Sequence, residues 1–124
     1  MLDPGRIWIA LRYIENNPVR AGIVDRVEGY PWSSGRQHLT GKFPRNSLLD
    51  QAFWRDNGGV QNWKDLIGVP APLSLEEREL RRCTFGGQPF GDEQFVSGME
   101  LAFNRKWPRR PPLTEGETAD AAEA

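Results

Sequence analysis

The sequence predicts a mainly α-helical protein built of short helices, and three observations carry that prediction. Apolar residues recur at helical spacing twice, as Ile7, Leu11 and Ile14 and again as Phe95, Met99, Ala102 and Phe103, the pattern of a helix with one buried face. Ser74 and Glu77 stand three apart, the spacing of a capping box that opens a helix. No alternation of polar and apolar residues runs long enough to make a convincing strand.

The first helix begins near Asp3 or Pro4, with the acid as cap and the proline in the first turn. Ile7, Leu11 and Ile14 mark its expected buried face, and Tyr13 and Asn17, four apart, lie one above the other beside it. Pro18 has no N–H to continue the ladder, so the helix should end near Asn16 or Asn17. A turn of helix from Pro18 to Ala21 follows and stops at Gly22, and Ile23 and Val24 are a brief extended piece. Ser33 or Ser34 caps a short helix towards Leu39, and 41–46 is a loop. Two further helical stretches are expected over Ser47–Asp56, closed by Gly58 and Gly59, and over Val60–Ile67. Pro70-Ala71-Pro72 is a stiff linker. The capping-box helix then runs to about Thr84, residues 86–91 form a turn, and Asp92 caps the last helix. From Pro111 onward the chain is small and acidic, the composition of a disordered tail. The expected segments are 1–24, 25–69, 70–110 and 111–124.

Composition bounds the chemistry. At 124 residues the chain has room for little more than one small domain. Its strongly apolar residues are just above roughly a fifth of the total, near the level below which disorder is the default. The net charge of −1 conceals an acidic end (Glu115, Glu117, Asp120, Glu123) on a mildly basic body, which permits a nucleic-acid partner. The longest apolar run, Ile7–Leu11, is far short of a membrane span, and no basic leader precedes it, so neither a membrane partner nor a signal peptide is expected. A lone Cys83 excludes an internal disulfide and fits a cytoplasmic protein. With His38 the single histidine, no Cys/His zinc site can be assembled from this chain. A Ser-His-acid triad lacks a patterned acid near His38, which is expected to be a partly exposed helix-end residue. Gly35 to Lys42 fails as a phosphate loop, having one residue too many between its glycines and Phe43 where Ser or Thr belongs.

Three constellations remain, each with an ordinary alternative. Tyr13 is a candidate covalent nucleophile with Asn17 beside it as a metal ligand or phosphate-orienting amide; the alternative is a core-edge tyrosine and a capping asparagine. Arg78, Arg81 and Arg82 on one helix of a helix-turn-helix-like pair, with Arg105, Lys106, Arg109 and Arg110 beyond the other, can contact DNA phosphates. The alternative there is a solvated charged face, since Glu76, Glu77 and Glu79 interleave with the arginines. The five tryptophans either stack on bases or anchor the core.

The run Arg12-Tyr13-Ile14-Glu15-Asn16-Asn17-Pro18-Val19-Arg20-Ala21-Gly22-Ile23-Val24 resembles a known family, as does Tyr30-Pro31-Trp32-Ser33-Ser34. With Leu80-Arg81-Arg82-Cys83-Thr84 and Gly87-Gln88-Pro89-Phe90-Gly91, the chain over residues 7–110 is similar to the C-terminal half of the REP-associated tyrosine transposases, single-tyrosine transposases of the HUH superfamily. The resemblance implies that Tyr13 attacks a DNA phosphate, forming a 5′-phosphotyrosine link and releasing a 3′-hydroxyl. It also implies that Asn17 is the third ligand of a divalent metal, Mg or Mn. The family's other two ligands, a His-hydrophobic-His pair on a strand of a ferredoxin-like sheet upstream, have no counterpart here, and His38 does not match them. Gln88 stands where the family usually has Arg, and Pro108-Arg109-Arg110-Pro111 is only loosely similar to its Gly-Arg-Pro ending. The expectation is therefore a C-terminal fragment missing most of the catalytic sheet, which binds no metal and neither cleaves nor joins DNA by itself. The partner implied is single-stranded or hairpin DNA of repetitive extragenic palindromes, with a homodimer among the states allowed. A non-catalytic hairpin-binding module and an inert remnant are the two rival readings.

Overall fold

A computed structural model describes residues 1–67 and 71–116. It contains the helices α1 (Ile7–Glu15), α2 (Asn17–Arg20), α3 (Ser34–Thr40), α4 (Gln51–Asp56), α5 (Gly59–Ile67), α6 (Leu75–Gly86) and α7 (Glu93–Phe103), with 3-10 turns at Pro4–Arg6 and Val27–Gly29. The protein is mainly α, as expected. Among the described residues extended pairing is limited to one parallel bridge between Leu2 and Phe90, and no helix is long and apolar enough to cross a membrane.

The chain divides into two compact units, Arg12–Pro72 and the pair of segments Met1–Leu11 and Leu73–Ala124. This differs from the division at residues 24 and 69 that the sequence suggests. The reason lies at the N-terminus: Asp3 N–H donates to the Phe90 carbonyl at 2.9 Å and Phe90 N–H donates to the Met1 carbonyl at 2.8 Å. Those bonds join the first residues to a turn nearly ninety positions later.

In the Arg12–Pro72 unit the core is Trp63, Ile67, Val27, Leu39 and His38. Ser33 caps α3 by accepting from Gly35 N–H at 3.3 Å, and Gly41 ends it with φ 69°. α3 packs on α5 and on the Val27–Gly29 turn. That approach requires glycine at position 35, because a Cβ there would collide with the Val27 side chain. α4 starts later than the expected Ser47. Asp50 caps it by accepting from Phe53 N–H at 2.9 Å, while Ser47 donates to Gln37 Oε1 at 2.6 Å and accepts from Leu49 N–H. These local side-chain bonds compete with helix and leave Leu48 fully exposed. α1 also departs from expectation. Ile14 is 57% exposed, whereas Glu15 is completely buried; an acid bonded to Ser34 and His38 in this unit takes the place foreseen for an apolar face.

In the other unit Asp3 accepts from Gly5 N–H and Pro4 opens the first turn, as the sequence indicates, and Ala10 is the buried residue of its part of α1. The Ser74–Glu77 capping box is complete, with bonds of 3.2 and 2.8 Å. α6 ends at Gly87, φ 63°, and Asp92 caps α7 through Phe95 N–H at 2.8 Å. The expected face of α7 is only partly covered: Phe95 and Met99 are half-buried, Ala102 and Phe103 exposed, and Glu100 is the buried residue. The chain turns at Asn104, φ 48°, and Trp107 folds back so that its N–H donates to Glu100 Oε2 at 2.9 Å. Pro70 and residues 117–124 of the expected linker and tail lie outside the described residues.

Candidate functional site

Tyr13 and Asn17 stand on either side of a helix break. Asn16 closes α1 by donating to the Arg12 carbonyl, and α2 restarts at Asn17 with Pro18 in its first turn, where the missing N–H costs nothing. The residue that joins the two is Arg20. Its guanidinium lies 4.3 Å from the centroid of the Tyr13 ring, and its Nη2 donates to the Tyr13 carbonyl at 3.1 Å and to Asn17 Oδ1 at 2.8 Å. Tyr13 is half-buried and Asn17 exposed. The cluster therefore presents a phenol, an amide and a fixed cation together, a combination suited to an anionic group.

Beside it a groove of about 230 Å³ is lined by Ile14, Asn17, Pro18, Ile23, Tyr30 and Ser33. Its walls come from both of the motifs that carry the resemblance. A part-buried bond ties the same two motifs: Glu15 Oε1 accepts from Ser34 Oγ at 2.7 Å, and the same oxygen makes a buried pair with His38 Nδ1 at 2.6 Å. His38 is 6% exposed, not the partly exposed residue expected, and its ring lies 4.7 Å from that of Trp63. The acid stands between serine and histidine, so this is not the serine–histidine–acid order of a nucleophile relay. It is a packing element.

The tryptophans divide. Trp63 and Trp107 are buried, Trp8 and Trp54 are half-buried, and Trp32 is 84% exposed. Trp54 Nε1 donates to the His38 carbonyl at 2.9 Å and its ring meets Phe43 edge-on at 5.0 Å. Four of the five serve the packing role, and Trp32 alone presents an open ring.

The basic residues foreseen as DNA contacts divide as well. Arg82 is buried; its Nη1 donates to the Pro111 carbonyl at 2.9 Å and its Nη2 to Glu79 Oε1 at 2.6 Å. Arg109 donates from Nε and Nη2 to the two oxygens of Glu93, both at 2.8 Å, and from Nη2 to Glu100 at 2.7 Å. Its Nη1 takes the Trp107 carbonyl at 2.8 Å. This clamp, helped by Ser97, pulls the Glu93 carboxyl down to about 2. Arg109 with the Trp107 N–H lowers that of Glu100, and the two acids in turn raise the pKa of Arg109. Both arginines hold the fold together. Arg78 and Arg81 are half-buried, with Arg81 5.6 Å from the Phe85 ring. Arg105, Lys106 and Arg110 are exposed, Arg105 lying 5.0 Å from the Trp107 ring.

A divalent ion does not fit the residues at Tyr13. Such ions require several oxygen ligands, whereas the ligand foreseen here, Asn17 Oδ1, already accepts from a guanidinium whose charge opposes a metal. Among the described residues no group of three or more His, Cys, Asp or Glu could hold a metal ion. Sequence reasoning missed Arg20 and Glu15. Arg20 stands three residues after Asn17, a spacing that allows contact; the partners of Glu15 are 19 and 23 residues away and leave no local trace. Compared with protein-family models, curated proteins and solved structures, the chain matches none of them.

Proposed function

We propose that this protein binds single-stranded or hairpin DNA in the manner of the tyrosine helix and C-terminal region of a REP-associated tyrosine transposase, holding the strand without cutting it. The observation that carries the reading is the Arg20 guanidinium, fixed at once to the Tyr13 ring and to Asn17. A strand phosphate brought to the Tyr13 hydroxyl meets a positive charge already in place and oriented, so little freedom is lost when it binds. The exposed Trp32 supplies a ring for base stacking. Exposed Arg105, Lys106 and Arg110 supply phosphate contacts. Binding without cleavage follows from the donor set, since Arg20 occupies the oxygen that a catalytic metal would need. The lone, buried Cys83 suits a cytoplasmic location.

The test is a labelled REP-type hairpin with flanking single strand, incubated with the protein and Mn²⁺ and run on native and denaturing gels. The expected result is a salt-sensitive native shift, weakened in Arg20→Gln and Trp32→Ala, with no covalent adduct. An adduct lost in Tyr13→Phe overturns the claim that the strand is held uncut. No shift at low salt overturns the DNA reading altogether.

A further inference from the structure

The unit made of the first residues and the C-terminal helices contains a cavity of about 150 Å³. This is well above the ~10–15 Å³ that one water needs. Four arginines line it, Arg6, Arg82, Arg109 and Arg110, against two acids, Glu79 and Glu93. Glu93 is held by Arg109 through both of its oxygens, and Glu79 by Arg82 through Oε1, its Oε2 having no hydrogen-bond partner among the described residues. Arg6 and Arg110 have no carboxylate within ion-pair distance among the described residues. Arg6 rests over the Phe90 ring at 4.8 Å, which orients the guanidinium without neutralising it. Arg110 runs past the end of α6, its terminal nitrogens 3.5 Å from where a Cβ on Gly86 would stand.

Cys83 lines the same cavity. Burial and then Glu79 raise its thiol above the ordinary value, against the smaller opposing charges of Arg82, Arg6 and Arg110. Two guanidinium groups without a carboxylate partner line one concave space, and an anion placed there would compensate both charges. Guanidinium groups recognise tetrahedral oxyanions through paired N–H bonds.

We propose that this cavity binds a phosphoryl group between Arg6 and Arg110. The phosphate of a nucleic-acid strand and free inorganic phosphate share the required chemistry, and the inference rests on the DNA reading above for the source alone.

The test uses the full chain, titrated with inorganic phosphate, with Cys83 alkylation as the reporter of occupancy. Phosphate is expected to bind and to slow alkylation of Cys83. Arg6→Gln and Arg110→Gln should each weaken binding about tenfold or more, the loss of one charge-assisted hydrogen bond, while Arg55→Gln, an exposed arginine outside the cavity, leaves it unchanged. Arg6→Lys and Arg110→Lys keep the charge but not the paired donors and should fall between. Phosphate affinity unchanged in both glutamine variants, with unaltered circular dichroism, overturns the proposal, as does an alkylation rate insensitive to phosphate. Oligonucleotides with and without a 5′-phosphate then compete against inorganic phosphate. Competition by the phosphorylated strand alone assigns a terminal phosphate, competition by both a backbone phosphate, and competition by neither free phosphate. A protein that binds phosphate but does not shift the hairpin keeps this site and loses the DNA reading; one that shifts the hairpin while phosphate leaves Cys83 alkylation unchanged does the reverse.

Discussion

Replacing Glu15 with alanine removes the one group that satisfies both Ser34 and His38. Glu15 is completely buried and His38 is 6% exposed, so neither partner left behind regains full access to water. The half-buried Ser34 hydroxyl lies at the low end of the ~1–3 kcal/mol cost of an orphaned polar group and the buried His38 ring nitrogen within it, which gives about 2–4 kcal/mol for the pair. A unit the length of Arg12–Pro72 has on the order of 3–9 kcal/mol of stability in all. Glu15→Ala should therefore leave that unit marginal or unfolded. Urea unfolding followed by tryptophan fluorescence reads this directly, because Trp63 lies against the His38 ring. With an m-value of about 1 kcal/mol/M, the midpoint should fall by roughly 2 M or more. Glu15→Gln keeps an oxygen for Ser34 and should lose less. The decisive measurement is the double-mutant cycle with His38→Ala. If the two changes add to within ~0.5 kcal/mol, the residues are not coupled and the bond has no part in holding the motifs together.

Three further outcomes follow from the packing and the clamp. Gly35→Ala should destabilise by about 1–3 kcal/mol through overpacking against Val27, and Val27→Ala in the same chain should recover part of the loss in a urea melt. Leu48→Ser should change stability by less than ~0.5 kcal/mol in the same melt, because the side chain is fully exposed; a larger loss would restore Leu48 to a helix face. Glu93 and Glu100 have carboxyls lowered by Arg109, Glu93 from 4.5 to about 2. A depressed carboxyl stabilises the fold above its ordinary pKa and loses that contribution as pH falls through the folded value. The Arg109 contacts should therefore weaken between pH 4.5 and about 2. The Trp107 indole N–H signal should follow that change in the native protein and show much less of it in Arg109→Gln.

Much of the helix inventory was legible because caps are local. Asp3, Ser33, Ser74 and Asp92 each sit two or three residues from the N–H they accept, so their identity and spacing alone announce a helix start. Buried faces were less legible. Periodicity says which residues share a side, not whether another element covers it: α7 presents Phe95, Met99, Ala102 and Phe103 together, yet the chain folds back on Glu100 instead. The acids made the difference twice. Glu15 and Glu100 are charged types that sequence reading assigns to solvent, and each is buried by partners its neighbours do not reveal. The candidate site was half visible. Tyr13 and Asn17 are set by one helical repeat, but their connection through Arg20 depends on how the helix restarts after Asn16.

If the protein binds DNA as proposed, the salt dependence of that binding should separate the basic residues that hold the fold from those left to meet a strand. Arg82 follows Glu79 by three positions, a pairing readable from spacing, whereas the partners of Arg109 lie 16 and 9 positions away and appear only once α7 and the following chain are in place. A guanidinium committed to carboxylates inside the protein releases no counterion from DNA, since its charge is already compensated. Each cation that does meet a phosphate adds about 0.7 to the slope of log K against log salt on single strands. Arg105→Gln, Lys106→Gln and Arg110→Gln should therefore each flatten that slope by about 0.7. Arg109→Gln and Arg82→Gln should leave the slope as it is while lowering the melting temperature. If Arg109→Gln flattens the slope without lowering the melting temperature, the clamp on Glu93 and Glu100 opens to bind DNA, and the division of roles drawn from its hydrogen bonds is wrong.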